Sequence, residues 1–277
     1  MKCVVAIALA GAATAAGQIP SPASRGELLD RAGAKVESYL ATLPALVATE
    51  TMSQRVALAP GRTAAADRRQ WIAEVAWVRL PDEGEAIAVR DVLEVDGQPV
   101  TTDRSRLVDL LHGARRGTWA EARALLDEGA RHNLVPGSRN FNLPTVALFF
   151  LHPDRRPRFS WKGQVPRRTA PPSSAPIEIA FREKSRPTVI RGERGEPIYS
   201  RGHVWLSPDG TVVRTELRLE IERVKYTLEA RFGMDPGLAL VVPVTLHEIY
   251  AAPDGVVTST ASYSNYRRYQ TGARLVP

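Results

Sequence analysis

The sequence predicts an α+β fold, in which one antiparallel sheet of about ten or eleven strands carries a block of short inserted helices. Segments rich in valine, isoleucine and aromatic residues recur along most of the 277 residues, and clusters of Pro, Asp and Gly separate them. These separations are too short for the crossover helices that parallel strands require. Hydrophobic residues make up 44% of the chain, which is enough to bury a substantial core.

The first residues are typical of a secretory signal peptide. Lys2 gives a positive start, Cys3–Ala16 is apolar, and small residues precede Gly17. We therefore expect residues 1–17 to be cleaved near Gly17, and residues 18–277 to form one exported domain, periplasmic or secreted. The apolar run is too short to span a bilayer, so we expect no transmembrane segment in the mature protein.

A buried N-terminal helix is the alternative interpretation of this segment. It is less favoured because Ile19–Pro22 ends the apolar run with two prolines. Cys3 is the single cysteine of the chain. Its removal would leave the mature protein without a thiol, which excludes disulfides, cysteine-ligated metals and thiolate nucleophiles.

The mature chain is expected to open with an amphipathic helix and a strand. Ser24 and Glu27 form a capping box, and apolar residues recur at helical spacing up to Pro44. Leu46–Leu58 is predicted to be extended, although its alternation of polar and apolar residues is weak.

A β-hairpin is predicted next. Arg69–Leu80 and Ala86–Val95 are rich in strand-forming residues and flank the turn-forming Pro81–Gly84. Trp71 and Trp77 project to one side of the first strand, and its other side is also apolar. Both faces of this strand should therefore be covered.

A helical insertion at about residues 103–152 follows the tight turn expected at Asp96–Gly97. Asp103 and Thr118 are suitable N-caps for its first two helices. A third helix is predicted from Pro144 to Pro153, and it is apolar on every side. Something must cover it completely, either the sheet or a ligand cavity.

The rest of the chain is predicted to form successive strands. Val213–Ile221 alternates apolar with charged residues, which indicates one buried and one solvated face. In Val224–Phe232 the apolar set moves to even positions, so we expect a tight reversal near Glu222.

Motifs for a metal or a catalytic site are missing from the sequence. The five histidines stand singly, and no HExxH, GxSxG, P-loop or GxGxxG occurs. Neighbouring carboxylates such as Glu220 and Glu222 fall on predicted solvated faces or turns. No metal, cofactor or catalytic residue is therefore predicted, although a triad assembled in space cannot be seen in a sequence.

A basic cluster follows the third predicted helix, in a chain with a formal net charge of +7. Export makes nucleic acid an unexpected partner. Two interpretations remain, a solvated strand face beside a loop and a surface that contacts anionic lipid head groups. The cluster comprises Arg155, Arg156, Arg158 and Lys162, followed by Arg167 and Arg168.

Large apolar side chains provide the other candidate site. They belong to the doubly apolar strand, the third predicted helix and a later strand. Ordinary core packing is one interpretation, and a lined cavity for an apolar ligand is the other. The candidate cavity residues are Trp71, Trp77, Leu148, Phe149, Phe150 and Trp205.

Four segments of the chain resemble a group of uncharacterised secreted bacterial proteins. They are Asn140–Thr145, Ser185–Thr188, Trp205–Glu216 and Tyr263–Tyr269. That group more distantly resembles the LolA/LolB lipoprotein carriers, whose fold is an unclosed antiparallel barrel with a helical lid. The resemblance implies a curved half-barrel whose inserted helices cover an apolar concave face able to hold acyl chains. It implies no ligand residue position by position.

The favoured function is that of a noncatalytic periplasmic protein. It would hold a lipid or another apolar ligand, or an envelope protein partner, in the concave face. The alternative is a structural or interaction protein of the cell envelope whose interior is filled by its own side chains. A hydrolase is a third hypothesis, and it would need a serine or histidine cluster that only coordinates can show.

Overall fold

A computed structural model describes residues 24–63, 67–79, 86–100, 106–113, 119–134, 144–165, 175–192, 194–270 and 274–276. The predicted signal peptide, the Pro81–Gly84 turn, the caps Asp103 and Thr118 and the segment Asn140–Leu143 lie outside these residues. Within the described ranges, no helix is both long and apolar enough to cross a membrane.

The described residues form four α-helices and fourteen strands. The helices are α1 (Arg25–Thr42), α2 (Arg106–Gly113), α3 (Trp119–Ala130) and α4 (Leu148–Leu151). The strands are β1 (Leu46–Leu58), β2 (Arg68–Arg79), β3 (Ala86–Val95), β4 (Gln98–Pro99), β5 (Phe159–Lys162), β6 (Ile177–Glu183), β7 (Ile190–Arg191), β8 (Pro197–Ile198), β9 (Arg201–Leu206), β10 (Val212–Ile221), β11 (Val224–Asp235), β12 (Leu240–Ala252), β13 (Gly255–Gln270) and β14 (Arg274–Val276).

One large antiparallel sheet dominates the fold. Its strand order is β4-β3-β2-β1-β13-β12-β11-β10-β9-β6-β5, with β14 beside β13, while β7 and β8 form a separate hairpin. The two end strands, β4 and β5, do not pair with each other, so the sheet is unclosed. The α+β class and the large unclosed antiparallel sheet are therefore confirmed, whereas the β7–β8 hairpin forms a second, two-stranded sheet that was not predicted.

The sheet is strongly curved. In its strand order β2 and β6 are seven spacings apart, a distance of about 34 Å in a flat sheet. Nevertheless, one short segment touches both. Trp77 of β2 donates a hydrogen bond to Thr145 (3.3 Å), and Phe150 meets Phe181 of β6 edge to face with ring centroids 5.3 Å apart. Thr145–Phe150 forms turns and a short helix, so it spans only about 10 Å. Because side chains stand roughly perpendicular to a sheet, the sheet must bend around this segment.

The concave face is covered by α1 and by the segment Pro144–Leu151, which we call the plug. As predicted, Ser24 caps α1, its side chain accepting a hydrogen bond from the Glu27 N–H (3.1 Å). The apolar stripe of the helix is buried against the inner side chains of the sheet. That stripe consists of Leu28, Leu29, Ala32, Val36 and Tyr39.

The turn between β9 and β10 docks α1. Asp209 accepts hydrogen bonds from the Thr211 hydroxyl (2.8 Å), from Ser207 and from Lys35 of α1. Burial acts to raise the pKa of Asp209, but these hydrogen bonds outweigh it and hold the pKa well below the ordinary value of 3.8. Asp209 therefore stays ionised in the folded protein to lower pH than it does in the unfolded chain.

We expect Asp209→Asn to destabilise the protein at pH 7, and the difference from the wild type to narrow as pH falls. A carboxylate with a depressed folded pKa stabilises the fold above its unfolded pKa, about 3.9, and that contribution is lost progressively below it. Urea unfolding of both proteins at pH 7, 4 and 3 measures the difference. A difference that stays constant from pH 7 to 3 would contradict this role.

The helical insertion does not lie in the concave face as one block, and that expectation is wrong for α2 and α3. These two helices pack on the opposite, convex face of β1, β2 and β3. Arg106 of α2 holds them there by pairing with Asp91 of β3 and with Glu128 of α3 (2.9 Å). The convex-face core comprises Val47, Ala76, Val78, Val89, Leu107, Leu110, Leu111, Ala122, Leu125 and Tyr269.

The third predicted helix is also shorter than expected. Only Leu148–Leu151 is α-helical, and Pro144–Ala147 forms turns whose hydrogen bonds span three residues, such as Leu148 N–H to Thr145 O (2.9 Å). Ala147, at the N-cap position, has no side-chain oxygen to cap the helix. Because it consists of turns and a single helical turn, the segment is short and fits inside the bend of the sheet.

Candidate functional site

Four of the six predicted cavity residues are buried on the concave side of the sheet. Trp71 and Trp77 come from β2, and Leu148 and Phe150 from the plug, with exposed fractions of 4, 0, 3 and 0%. Phe149 is half-buried at the margin, where the Arg155 guanidinium lies 5.2 Å from its ring centroid.

The cluster is packed with protein side chains. The Phe150 ring lies 4.9 Å from that of Phe159 and 5.3 Å from that of Phe181, centroid to centroid. A cavity large enough for an acyl chain would admit a water-sized sphere, and its lining residues would then have accessible surface. Trp77 and Phe150 have none. The structure therefore shows a solid core at these two positions.

Trp205 lies on the other face of the sheet, so it does not line the concave side. Its neighbours Val204 and Leu206 point into the core, and alternate residues of a strand point to opposite faces. Trp205 is half-buried on the convex face, with the Arg214 guanidinium 4.2 Å from its ring centroid. There it forms a cation–π contact.

The predicted lipid-contacting arginines are largely engaged within the protein. Arg156 pairs with Asp30 of α1, and Arg158 donates to the Pro187 carbonyl (2.9 Å). These two arginines and Arg155 are half-buried, whereas Lys162 is exposed. The four therefore do not form one free basic surface, and Arg167 and Arg168 lie outside the described residues.

A buried polar network, which the sequence did not predict, crosses the concave face beside the apolar core. Arg90 of β3 donates two hydrogen bonds to Glu50 of β1 (2.6 and 3.0 Å), reaching over Ala73, the small residue of β2 that lies directly opposite Glu50. Tyr263 of β13 donates a third hydrogen bond to Glu50 (2.7 Å). Glu248 of β12 is also fully buried on this face.

Gln54 of β1 is a second buried polar residue on this face, and it binds the chain that follows α3. Its amide donates to Asn133 (3.1 Å) and accepts from the Leu134 N–H (3.0 Å). Both partners follow α3 directly. Gln54 thereby fixes the chain at the point where it leaves the convex-face helices.

Glu50, Arg90 and Tyr263 satisfy one another's charge and hydrogen-bonding groups, so Glu50 and Tyr263 are poorly suited to act as catalytic acids or bases. Burial raises the pKa of the Tyr263 hydroxyl well above its ordinary value, and the negative charge of Glu50 adds to this effect. Tyr263 therefore remains a neutral donor. Glu50 already accepts three hydrogen bonds, from Arg90 and Tyr263. The arrangement is suited to hold strands together, and it offers no poised general base at Glu50 or Tyr263.

Two histidines of the described residues, His203 and His247, lie close to side chains that could form a triad with them. His203 faces a carboxylate on each ring nitrogen, Glu216 at 3.2 Å and Glu178 at 3.6 Å. His247 contacts the Thr260 hydroxyl (3.1 Å) on the exposed convex face. Neither combines a hydroxyl and a carboxylate on opposite nitrogens within the described ranges. Among the same residues, no group of three or more His, Cys, Asp or Glu could hold a metal ion.

A weak signal could have pointed to the buried network. Leu46–Leu58 showed poor alternation because two of its inward positions, Glu50 and Gln54, are polar. A strand whose inner face carries charge looks irregular to a hydrophobicity pattern. The weak alternation of polar and apolar residues in this strand was therefore an indication of buried polar side chains.

Comparison of the sequence with protein-family models and with curated proteins finds no match.

Proposed function

We propose that this chain is a noncatalytic interaction protein of the cell envelope, built on a half-barrel filled by its own side chains. The observation that carries the proposal is the complete burial of Trp77 and Phe150. The concave face, where a carrier would hold its ligand, is occupied by the plug and by α1. A partner is then recognised by exposed surfaces, and the solid core serves to hold them rigidly.

A second candidate function is the carriage of an apolar ligand that displaces the plug. The specific observation in its favour is the weak local structure of the plug. Its helix has four residues and, among the residues described, no side-chain cap. Helices this short depend on tertiary packing for their stability. An acyl chain that replaced Phe150 against Phe159 and Phe181 would occupy the same space.

Direct binding measurements distinguish the two functions. The protein is purified by mild extraction and examined by native mass spectrometry, then titrated with the fluorescent fatty acid 11-dansylaminoundecanoic acid. For a filled half-barrel we expect the mass of the protein alone and no saturable increase in fluorescence. A saturable one-to-one complex that oleate competes away would contradict the solid core and favour the carrier.

Two tryptophans of opposite placement provide the matched variants. Trp77 lies in the concave core, where it contacts Thr145 of the plug, and Trp205 lies on the convex face. If a complex forms, Trp77→Ala should weaken it while Trp205→Ala leaves it unchanged. Loss of binding in Trp205→Ala alone would place the ligand on the convex face and contradict the carrier function.

A further inference from the structure

Three arginines lie side by side across the convex face. Arg182 of β6 is directly opposite Arg201 of β9, which is directly opposite Arg218 of β10. Like charges in such facing positions destabilise a sheet. Arg218 is compensated by Glu216 (3.0 Å). In the part of the chain that the structure describes, no carboxylate lies within 4.0 Å of Arg182 or Arg201, and both are exposed.

These arginines line a cleft of about 690 Å³. The pairing of β9 with β10 ends at Arg201, while the β10–β11 hairpin continues beyond it. The cleft lies in the space next to this extension, between the β10–β11 hairpin and the β7–β8 hairpin. The volume falls within the range of small-molecule sites, about 300–1,000 Å³. The three facing arginines, whose mutual repulsion is unfavourable, therefore line a cleft that is large enough for a small ligand.

The rest of the lining is mixed in character. Lys225 adds a fourth cation, and Tyr226 supplies an apolar side together with Ile198 and Leu219, two largely buried residues that form the edge of the concave core beyond the end of β9. Tyr199 stands 47% exposed beside them.

Two carboxylates also line the cleft. Glu183 is turned to the backbone, accepting hydrogen bonds from the N–H groups of Val189 (2.8 Å) and Ser200 (3.1 Å). Glu220 lies directly opposite Lys225. Neither carboxylate is within 4.0 Å of Arg182 or Arg201.

We propose that this cleft binds the phosphate group of an amphiphilic ligand, with Arg182 and Arg201 as its principal contacts. A guanidinium donates two parallel hydrogen bonds to phosphate oxygens, and a bound anion would relieve the repulsion between the facing arginines. The apolar side would receive the rest of the molecule. An anionic phospholipid and a soluble organic phosphate share this chemistry. Neither the plug nor α1 contributes a residue to the lining of this cleft, so the test of the site is independent of the test of the proposed function.

Isothermal titration calorimetry tests the site with three probes. Dihexanoyl phosphatidylglycerol, below its micelle concentration, carries both phosphate and chains; pyrophosphate carries phosphate alone; octyl glucoside carries a chain alone. We expect phosphatidylglycerol to bind and octyl glucoside not to bind. Pyrophosphate binding of equal affinity would assign a soluble phosphate as the ligand, and binding of phosphatidylglycerol alone would assign a lipid head group.

Two arginine variants locate the binding. Arg201→Gln should weaken the affinity for the bound probe by roughly tenfold or more, the usual effect of losing a charged hydrogen bond. Arg55→Gln removes the same charge from an exposed position of β1 on the same face, and it should change the affinity by less than about twofold. Arg201→Gln should also leave the urea midpoint unchanged or raise it, because a like-charge contact is removed.

Three results would overturn the proposal. The first is the absence of binding by either phosphate probe. The second is octyl glucoside binding as tightly as phosphatidylglycerol, because the phosphate would then contribute nothing. The third is an equal loss of affinity in Arg201→Gln and Arg55→Gln, which would mark a general response to net charge.

Discussion

Replacing Phe150 by alanine is expected to lower the free energy of unfolding by about 3–5 kcal/mol. Phe150 is completely buried, and its ring packs on Phe159 and Phe181. The variant loses the transfer free energy of the ring and leaves a cavity that the close-packed core cannot fully close. Urea unfolding, followed by circular dichroism and tryptophan fluorescence, measures the change.

Phe149→Ala is the matched control for this prediction. Phe149 is the preceding residue of the same helix and is half-buried, so its loss should cost only about 1 kcal/mol. Equal losses in the two variants would show that Phe150 is no more tightly packed than Phe149. A loss below about 1 kcal/mol in Phe150→Ala would likewise contradict a solid core.

Arg90→Met is expected to destabilise the protein by about 3–5 kcal/mol, because it breaks a buried ion pair by removing one partner. The Glu50 carboxylate, which is 0% exposed, would be left with one of its three hydrogen bonds. As a separate single variant, Tyr263→Phe removes the third hydrogen bond to Glu50 and should lower the free energy of unfolding by about 1.5–3 kcal/mol. Denaturant unfolding at pH 7 measures both effects.

An exposed ion pair serves as the control for the buried one. Arg123 and Asp127 of α3 lie 3.8 Å apart, and both are well exposed. Arg123→Met should therefore change stability by less than about 0.5 kcal/mol. The double variant Glu50→Gln, Arg90→Met should recover part of the loss, because the buried charge is gone. A double variant less stable than Arg90→Met would contradict this account.

Local signals in the sequence predicted local structure well. The Ser24 cap, the β2–β3 hairpin and the reversal at Glu222, whose φ is 56°, all occur as expected. The turn at Asp96–Gly97 also has positive φ at both residues, as a tight hairpin turn requires. Each of these features depends on a few adjacent residues, so a single sequence contains the information.

The layer to which a side chain belongs was harder to predict. Val204, Trp205 and Leu206 are all apolar, so alternation could not show that the tryptophan faces outward. The doubly apolar β2 correctly indicated cover on both faces. It did not indicate that α2 and α3 cover one face while the plug covers the other.

The three facing arginines of the convex face could not be predicted from the sequence, for a different reason. Arg182, Arg201 and Arg218 do not follow one another in the sequence, and they become neighbours only because β6, β9 and β10 pair in one particular register. A shift of one residue in either pairing would send the side chains to opposite faces. Register across distant strands depends on the whole fold, and a single sequence does not display it.

The pairing of β1 with β13 sets the order in which this molecule can be completed. Leu46 lies opposite Arg268, so two neighbouring strands at the middle of the sheet are roughly 200 residues apart along the chain. Contacts between such distant segments slow folding. Because a chain is synthesised from its N-terminus, the edge of β1 stays unpaired until β13 has been made, and an unpaired strand edge can associate with other chains. A molecule truncated before Gly255 would therefore expose the edge of β1 in the middle of the sheet.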